Sequence, residues 1–261
     1  MWVSRSPSRR EVEDAIIKPL IQAAHKLSRQ TYGPRRLCVE LAAEGHRVGR
    51  DRIARLRKAL GLKCIQHKKF KATTNSKHNL PIVPNLLAQN FENTTPGTVW
   101  GTDITYIATD EGWLYLAGVK DFGSREIVGY EMSDRMTKEL VQEALRKALR
   151  WRKPLPGCIH HSDRGSQYCS HDYRRDVAKA DLVASMSRKG NCYDNAPTES
   201  FWGCLKQELV HHRRFRTRAA ARAAIQEYIE VFYNRIRRHS SIGNMAPSLY
   251  VEALMRERKI A

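Results

Sequence analysis

The chain has no Cys-x-x-Cys pair: its six cysteines stand apart at positions 38, 64, 158, 169, 192 and 204. That spacing argues against a zinc module or a disulfide framework, and reduced thiols in a cytoplasm are the expectation. No apolar run approaches the roughly 18 residues of a membrane span, and the N-terminus lacks the apolar centre of a signal peptide. A soluble intracellular protein is therefore expected. A sustained heptad pattern is also missing, which argues against a coiled coil. Acidic residues are scarce, 27 Asp and Glu against 46 Lys and Arg, for a net charge of +19. An excess of that size points to a polyanionic partner.

What is present is enough to fold. With 261 residues, 41% of them hydrophobic, the chain can bury a real core in one or two domains. Its charge is unevenly placed. Basic residues exceed acidic ones by 12 over residues 1–98 (19 against 7) and by 7 over 209–261 (11 against 4), but match them over 99–208 (16 against 16). A neutral centre between basic flanks predicts a catalytic core held on nucleic acid by its neighbours.

Residues 9–28 read as a helix with Val12, Ile16, Leu20 and Leu27 as its stripe, kinked or split at Pro19. A second helix is expected to start at Pro34, bury Leu37 and Leu41 and stop at Gly45. A third, about residues 49–60 and closed by Gly61, turns Ile53, Leu56 and Leu60 inward and leaves Arg50, Arg52, Arg55 and Lys58 around the rest. Two short helices across a tight Gly turn, the second rich in arginine, predict a helix-turn-helix domain over residues 1–62 with those four basic residues as DNA contacts. An ordinary helical hairpin with solvated charges is the plainer alternative. Residues 63–98 read as a linker: Lys63, Lys68, Lys69, Lys71 and Lys77 lie among polar residues, and Pro81, Pro84 and Pro96 interrupt any period. It fits a solvated spacer and a backbone-tracking arm equally.

From Val99 the period changes to that of strands. Val99–Ala108, Trp113–Val119 and Ile127–Met132 predict three antiparallel strands, followed by a helix from Thr137 to Trp151 and a short strand, Cys158–His161. A helix near 171–180, a strand at 182–185, a polar loop over 188–195 and a last helix complete a βββ-α-β-α-β-α order. That order predicts an α/β, ribonuclease-H-like mixed sheet with flanking helices over 99–208, with 209–261 as a basic helical C-terminal part of the core. The helix-turn-helix domain would precede it as a small all-helical domain.

Three acids sit at telling stations. Asp103 lies in the middle of a strand, where aspartate is disfavoured. Asp163 lies at a strand exit, where α/β folds present reactive groups. Glu199 opens the last helix, where opposing the helix dipole is its plainer role. Together they predict a carboxylate cluster for hard divalent cations, Mg²⁺ or Mn²⁺, and metal-assisted phosphoryl transfer on a nucleic acid. His160 and His161, adjacent to this site, are expected to be structural or to stand near phosphate; at most one of two neighbours on a strand can face it. Asn191, Tyr193, Asp194 and Asn195 are expected to shape a loop over the site, with Asp194 as a spare acid.

Four blocks then reach a family. Trp100-Gly-Thr-Asp-Ile-Thr-Tyr106, His161-Ser-Asp-Arg-Gly-Ser-Gln-Tyr168, Gly190-Asn-Cys-Tyr-Asp-Asn-Ala-Pro-Thr-Glu-Ser-Phe-Trp202 and Tyr233-Asn-Arg-Ile-Arg-Arg-His-Ser-Ser241 together resemble the integrase core of bacterial insertion-sequence transposases. More narrowly, they look like the OrfB product of the IS-three family, and Thr31-Tyr-Gly-Pro-Arg-Arg-Leu37 resembles the helix-turn-helix that precedes that core. The resemblance covers Val99 to Tyr250 and departs from the family at Arg238, where a proline is frequent. It implies that Asp103, Asp163 and Glu199 hold two Mg²⁺ (or Mn²⁺) ions and that Lys206 contacts DNA. It further implies a transposase that cleaves and joins double-stranded DNA at element ends, as a homo-oligomer in the bacterial cytoplasm at the nucleoid. An upstream OrfA segment, usually fused by frameshifting, would complete it. The residues alone leave open a nuclease that only cleaves, and a non-catalytic DNA-binding regulator.

Overall fold

In the computed structural model, which describes residues 6–65, 81–91, 95–188 and 192–260, the chain divides into two units, Met1–His67 and Lys68–Ala261. The first is helical: α1 (Arg9–Leu27), α2 (Pro34–Ala43) and α3 (Arg50–Ala59). Ser8 and Glu11 cap α1 reciprocally, and Pro34 sits in the first turn of α2, where its missing N–H costs nothing. Ile17, Ile21 and Ala24 of α1 meet Leu37, Leu41, Ile53 and Leu56 around the buried ring of Tyr32.

α1 is not split as one alternative had it, and most of its expected stripe does not face inward. The helix runs through Pro19 without a break, and Val12, Ile16 and Leu27 are at least half exposed. The inward face is instead the one carrying Asp14, Ile17 and Ile21. Two arginines of α3 select it: Arg52 reaches Asp14 at 2.8 Å and Glu13 at 3.1 Å, and Arg55 reaches Asp14 at 2.6 Å. Burial of Ile17 and Ile21 on either side of the proline offsets the hydrogen bond it lacks.

The second unit is built on a five-stranded sheet: β1 (Val99–Thr109), β2 (Gly112–Asp121), β3 (Ile127–Ser133), β4 (Ile159–Ser162) and β5 (Val183–Met186), in the order β3-β2-β1-β4-β5. The first three strands are antiparallel, and β1, β4 and β5 are mutually parallel. Helices cover both faces. On one, α4 (Lys138–Trp151) and α6 (His171–Lys179), with the short α5 (Ser166–Cys169) just ahead of α6, pack against Trp100, Val119 and Val128. On the other, α7 (Ala196–Glu208), α8 (Arg218–Glu227) and a π-helical turn at Tyr228–Tyr233 pack Phe201, Leu205, Ile225 and Phe232 on Ile107, Leu114 and Leu116. α9 (Pro247–Ile260) ends the described chain. This is the ribonuclease-H-like mixed sheet that the strand and helix order predicted. None of the described helices is long and apolar enough to cross a membrane. The described cysteines, 38, 64, 158, 169 and 204, are free thiols.

Part of the expected linker belongs to this unit. Residues 81–91 lie along the β5 edge, with Met186 N–H donating to Pro84 O (3.3 Å) and Leu86 N–H to Ser185 Oγ (2.9 Å). Leu87 is buried with Val99 and Phe122, and Phe91 meets Phe122 edge to face at 5.7 Å. Alternation gave no signal for this segment because it makes no regular ladder. Lys68, Lys69, Lys71 and Lys77 lie outside the described residues.

Candidate active site

Strand register brings the two aspartates together. The parallel β1–β4 pairing ends at Gly101 beside His161, so Asp103, further along β1, and Asp163, just past the end of β4, come at the same end of the two strands, and both line one cavity. Asp103 Oδ1 accepts the backbone N–H of Ile104 (2.8 Å), and its Oδ2 accepts the indole N–H of Trp202 (3.0 Å). Asp163 Oδ1 accepts Gly165 N–H (2.8 Å), which holds the turn out of β4.

The third acid arrives on α7, and that helix is fixed at both ends. At its start, the buried Lys120 donates through Nζ to Pro197 O (2.7 Å), and Asn195 Nδ2 donates to Thr102 O (3.3 Å). At its end, Glu208 pairs with the buried Arg237 (2.8 Å) and accepts from the Tyr228 hydroxyl (2.7 Å). Close approach needs glycines on the sheet. A Cβ on Gly101 would stand 2.5 Å from Thr198 Oγ1, and one on Gly118, which faces Asp103 in the β1–β2 ladder, would stand 2.8 Å from the Trp202 ring.

Asp103, Asp163, Glu199 and Lys206 line one cavity of about 690 Å³, with Tyr106, Trp113 and Tyr168 also on its wall. Burial, then the charge of Asp163, pushes the Asp103 carboxyl up to about 8. Partial burial, then Asp163, raises that of Glu199. Anionic oxygens crowded this way gain most from a hard cation, so the donor set fits Mg²⁺ or Mn²⁺. Among the described residues, however, no three His, Cys, Asp or Glu side chains already stand grouped to hold a metal. Lys206 is not the solvated lysine of a plain helix face: it is 7% exposed, its ammonium lies 5.2 Å from the centre of the Tyr106 ring, and burial lowers its pKa.

The other expected site residues scatter. His160 and His161 are buried away from the acids, His160 against the Tyr173 hydroxyl (2.6 Å) and His161 between Ser185 (2.9 Å) and Ser187 (3.1 Å). Desolvation pushes them down to about 3 and about 4, so both are neutral. Asp194 is no spare acid at the cavity: it is fully buried, and Arg188 holds it well below the usual carboxylate range. Asn191 lies outside the described residues. In the first unit Arg52 pairs with Glu13 and Asp14, and Arg55 with Asp14. Arg50, paired with its neighbour Asp51, Arg55 and Lys58 are exposed. Trp202, Lys120 and Arg237 were missed as site-shaping residues. Each acts across a sequence gap that no local pattern signals, although Trp202 and Arg237 lie inside blocks already singled out.

Residues 93–192 match an integrase core domain, 181–247 a second integrase core domain, and 11–70 an HTH-like domain. An uncharacterized 31 kDa protein of insertion element IS600 from Shigella sonnei is 59% identical over 251 residues, covering 96% of this chain and 92% of its own length. The transposase InsF for insertion sequence IS3A of Escherichia coli (strain K12) is 44% identical over 232 residues, 88% of this chain and 80% of its own. Among solved structures, the catalytic core domain of BIV integrase is similar at 16% identity and a TM-score of 0.46, over 62% of this chain and 99% of that one. The integrase core and the helical DNA-binding domain ahead of it define a DNA-binding enzyme of transposition, of the metal-dependent integrase class. Within that class, the chain belongs to the IS3 family of insertion-sequence transposases.

Proposed function

We propose that Asp103, Asp163 and Glu199 are the catalytic triad, holding two Mg²⁺ (or Mn²⁺) ions, and that Lys206 is the cation that meets the DNA beside them. The observation that carries this is the convergence of all four side chains on one cavity, with the two aspartates at the same end of the parallel strands β1 and β4. When bound, the ions supply Lewis-acid stabilisation of the scissile phosphate and activate the attacking oxygen. Trp202 and the Ile104 amide orient Asp103, and Lys206, steadied by Tyr106, adds positive charge on the same wall. In the first reaction a water oxygen bonds to phosphorus as the bond to the 3′-oxygen breaks, leaving a 3′-hydroxyl and a 5′-phosphate. In the second that hydroxyl attacks another phosphodiester, one P–O bond forming as one breaks, so no energy source or covalent protein intermediate is needed.

Exposed Arg50 and Lys58 contact duplex DNA from the first unit. The protein works as an oligomer on DNA at the bacterial nucleoid, together with an upstream OrfA segment or OrfAB fusion that supplies end specificity. The test is strand cleavage and strand transfer on labelled element ends. Asp103→Asn, Asp163→Asn and Glu199→Gln should each abolish both reactions and keep DNA binding; wild-type cleavage in any one removes that residue from the triad. Pre-cut ends distinguish the nuclease reading, because a nuclease would not join them.

A further inference from the structure

Asp194 stands just ahead of α7, in the 3₁₀ turn Cys192–Asn195, and is fully buried. Five hydrogen bonds converge on its carboxylate. Arg188 donates through its backbone N–H (2.8 Å), Nε (3.0 Å) and Nη2 (2.9 Å). The other two come from the segment along the β5 edge: Asn85 Nδ2 at 2.9 Å and Gln89 Nε2 at 3.0 Å. Asn85 has its orientation dictated, because its Oδ1 accepts the N–H groups of Leu87 and Ala88, both at 3.0 Å, leaving the amide nitrogen for Asp194. Ala88 and Gln89 both adopt left-handed backbone, φ 46° and 66°. Two such non-glycine residues in succession persist only where their surroundings over-determine them. Here the side chain of the second is delivered to the buried carboxylate.

We infer that Asp194 is a positioning residue for Glu199, and that Arg188, Asn85 and Gln89 form a clamp through which residues 81–91 fix the entry into α7. Four residues separate Asp194 from Glu199, and two of them are tied to the sheet, Asn195 to Thr102 O and Pro197 to Lys120. With the helix start held at three points, the reach of Glu199 towards Asp103 and Asp163 is set from outside the cavity. A buried carboxylate stripped of a donor is costly, so the clamp is held or lost as a unit. The inference rests on the catalytic reading of Glu199.

The experiment uses the full chain and two variants, Asp194→Asn and the double change Asn85→Ala with Gln89→Ala. Hydrogen exchange is followed over residues 195–200, and cleavage of labelled ends is resolved into kcat and KM across a magnesium titration. Asp194→Asn should speed exchange there, lower kcat tenfold or more, raise the magnesium concentration for half-maximal rate and leave KM for DNA unchanged. The double variant should move every readout the same way by a smaller factor, and it decides alone if Asp194→Asn does not fold. Unchanged exchange and kcat in Asp194→Asn, or wild-type behaviour of the double variant, would overturn the clamp. Glu199→Gln is assayed in parallel: full activity there sinks the catalytic reading of Glu199, while exchange still reports on the clamp.

Discussion

Burial and the adjacent Asp163 push the Asp103 carboxyl up to about 8 from its ordinary 3.8. Between those values the metal-free folded state keeps a proton that the unfolded chain releases, so this group makes stability fall as pH rises from about 4 to about 8. Asp103→Asn removes the titration. Without metal, its Tm should exceed that of the wild type by several degrees at pH 8 and match it near pH 4. Added Mg²⁺ should raise the wild-type Tm and leave the variant's nearly unmoved. A variant that is no more stable at pH 8 would show that Asp103 ionises freely. Arg52 gives a second test of residue roles. Its guanidinium bridges Asp14 and Glu13, so Arg52→Ala should lower the melting temperature of the helical unit. Lys58→Ala, at an exposed position, should leave its melting unchanged and weaken DNA binding instead. The reverse pattern would make Arg52 the DNA contact. The acids were legible in the sequence because each stands out locally, Asp103 as a charge in a strand centre. The partners that orient them were not: Trp202 reaches Asp103 across 99 positions, and Lys206 owes its burial to a strand that periodicity cannot bring near.

Strands β1 to β3 and helices α4 and α7 were readable because each carries a single period, and the β-then-α order fixed the sheet class. α1 was legible as a helix but not in its facing. Val12, Ile16 and Leu20 form as good a stripe as Ile17, Ile21 and Ala24, and the choice is made by arginines on α3. The packing of α7 on the sheet was invisible for a related reason, since glycine in a strand reads as a weakness until a neighbour requires its bareness. Gly118→Ala would place a methyl 2.8 Å from the Trp202 ring, and a shift of the indole would disturb its hydrogen bond to Asp103. The expected outcome is a loss of cleavage out of proportion to a destabilisation of about 1–3 kcal/mol, the usual range for overpacking. Gly101→Ala faces the Phe122 ring at 2.3 Å and Thr198 Oγ1 at 2.5 Å, so it should cost at least as much stability. Urea melts alongside cleavage rates separate the two effects. A Gly118→Ala protein with wild-type activity would mean that Trp202 does not need its place on Asp103.

At the scale of the molecule, charge and chemistry are separated. Residues 1–67 carry 15 Lys and Arg against 6 Asp and Glu, whereas the sheet and its acids lie in a stretch, 99–208, with no net charge. Each phosphate neutralised by the protein contributes about −0.9 to the slope of log affinity against log salt. A chain starting at Lys68 should therefore bind duplex DNA with a visibly flatter slope than the full protein, yet still nick DNA with magnesium at low salt, since its cavity and residues 81–91 are intact. A chain starting at Val99, where the strand pattern alone would place the boundary, should behave differently. It loses the donors Asn85 and Gln89 and the buried Leu87. Burial of one such leucine is worth about 1.5–3 kcal/mol. At roughly 2–4 °C per kcal/mol for a unit of this size, the shorter chain should melt at least about 3 °C lower. Its cleavage should fall further than that of the longer one at temperatures where both are folded. Calorimetry and nicking assays on the two truncations decide the matter. Equal melting and equal nicking would return residues 81–91 to the role of a spacer, and an unchanged salt slope after removal of residues 1–67 would shift the phosphate contacts to the basic segment 209–261.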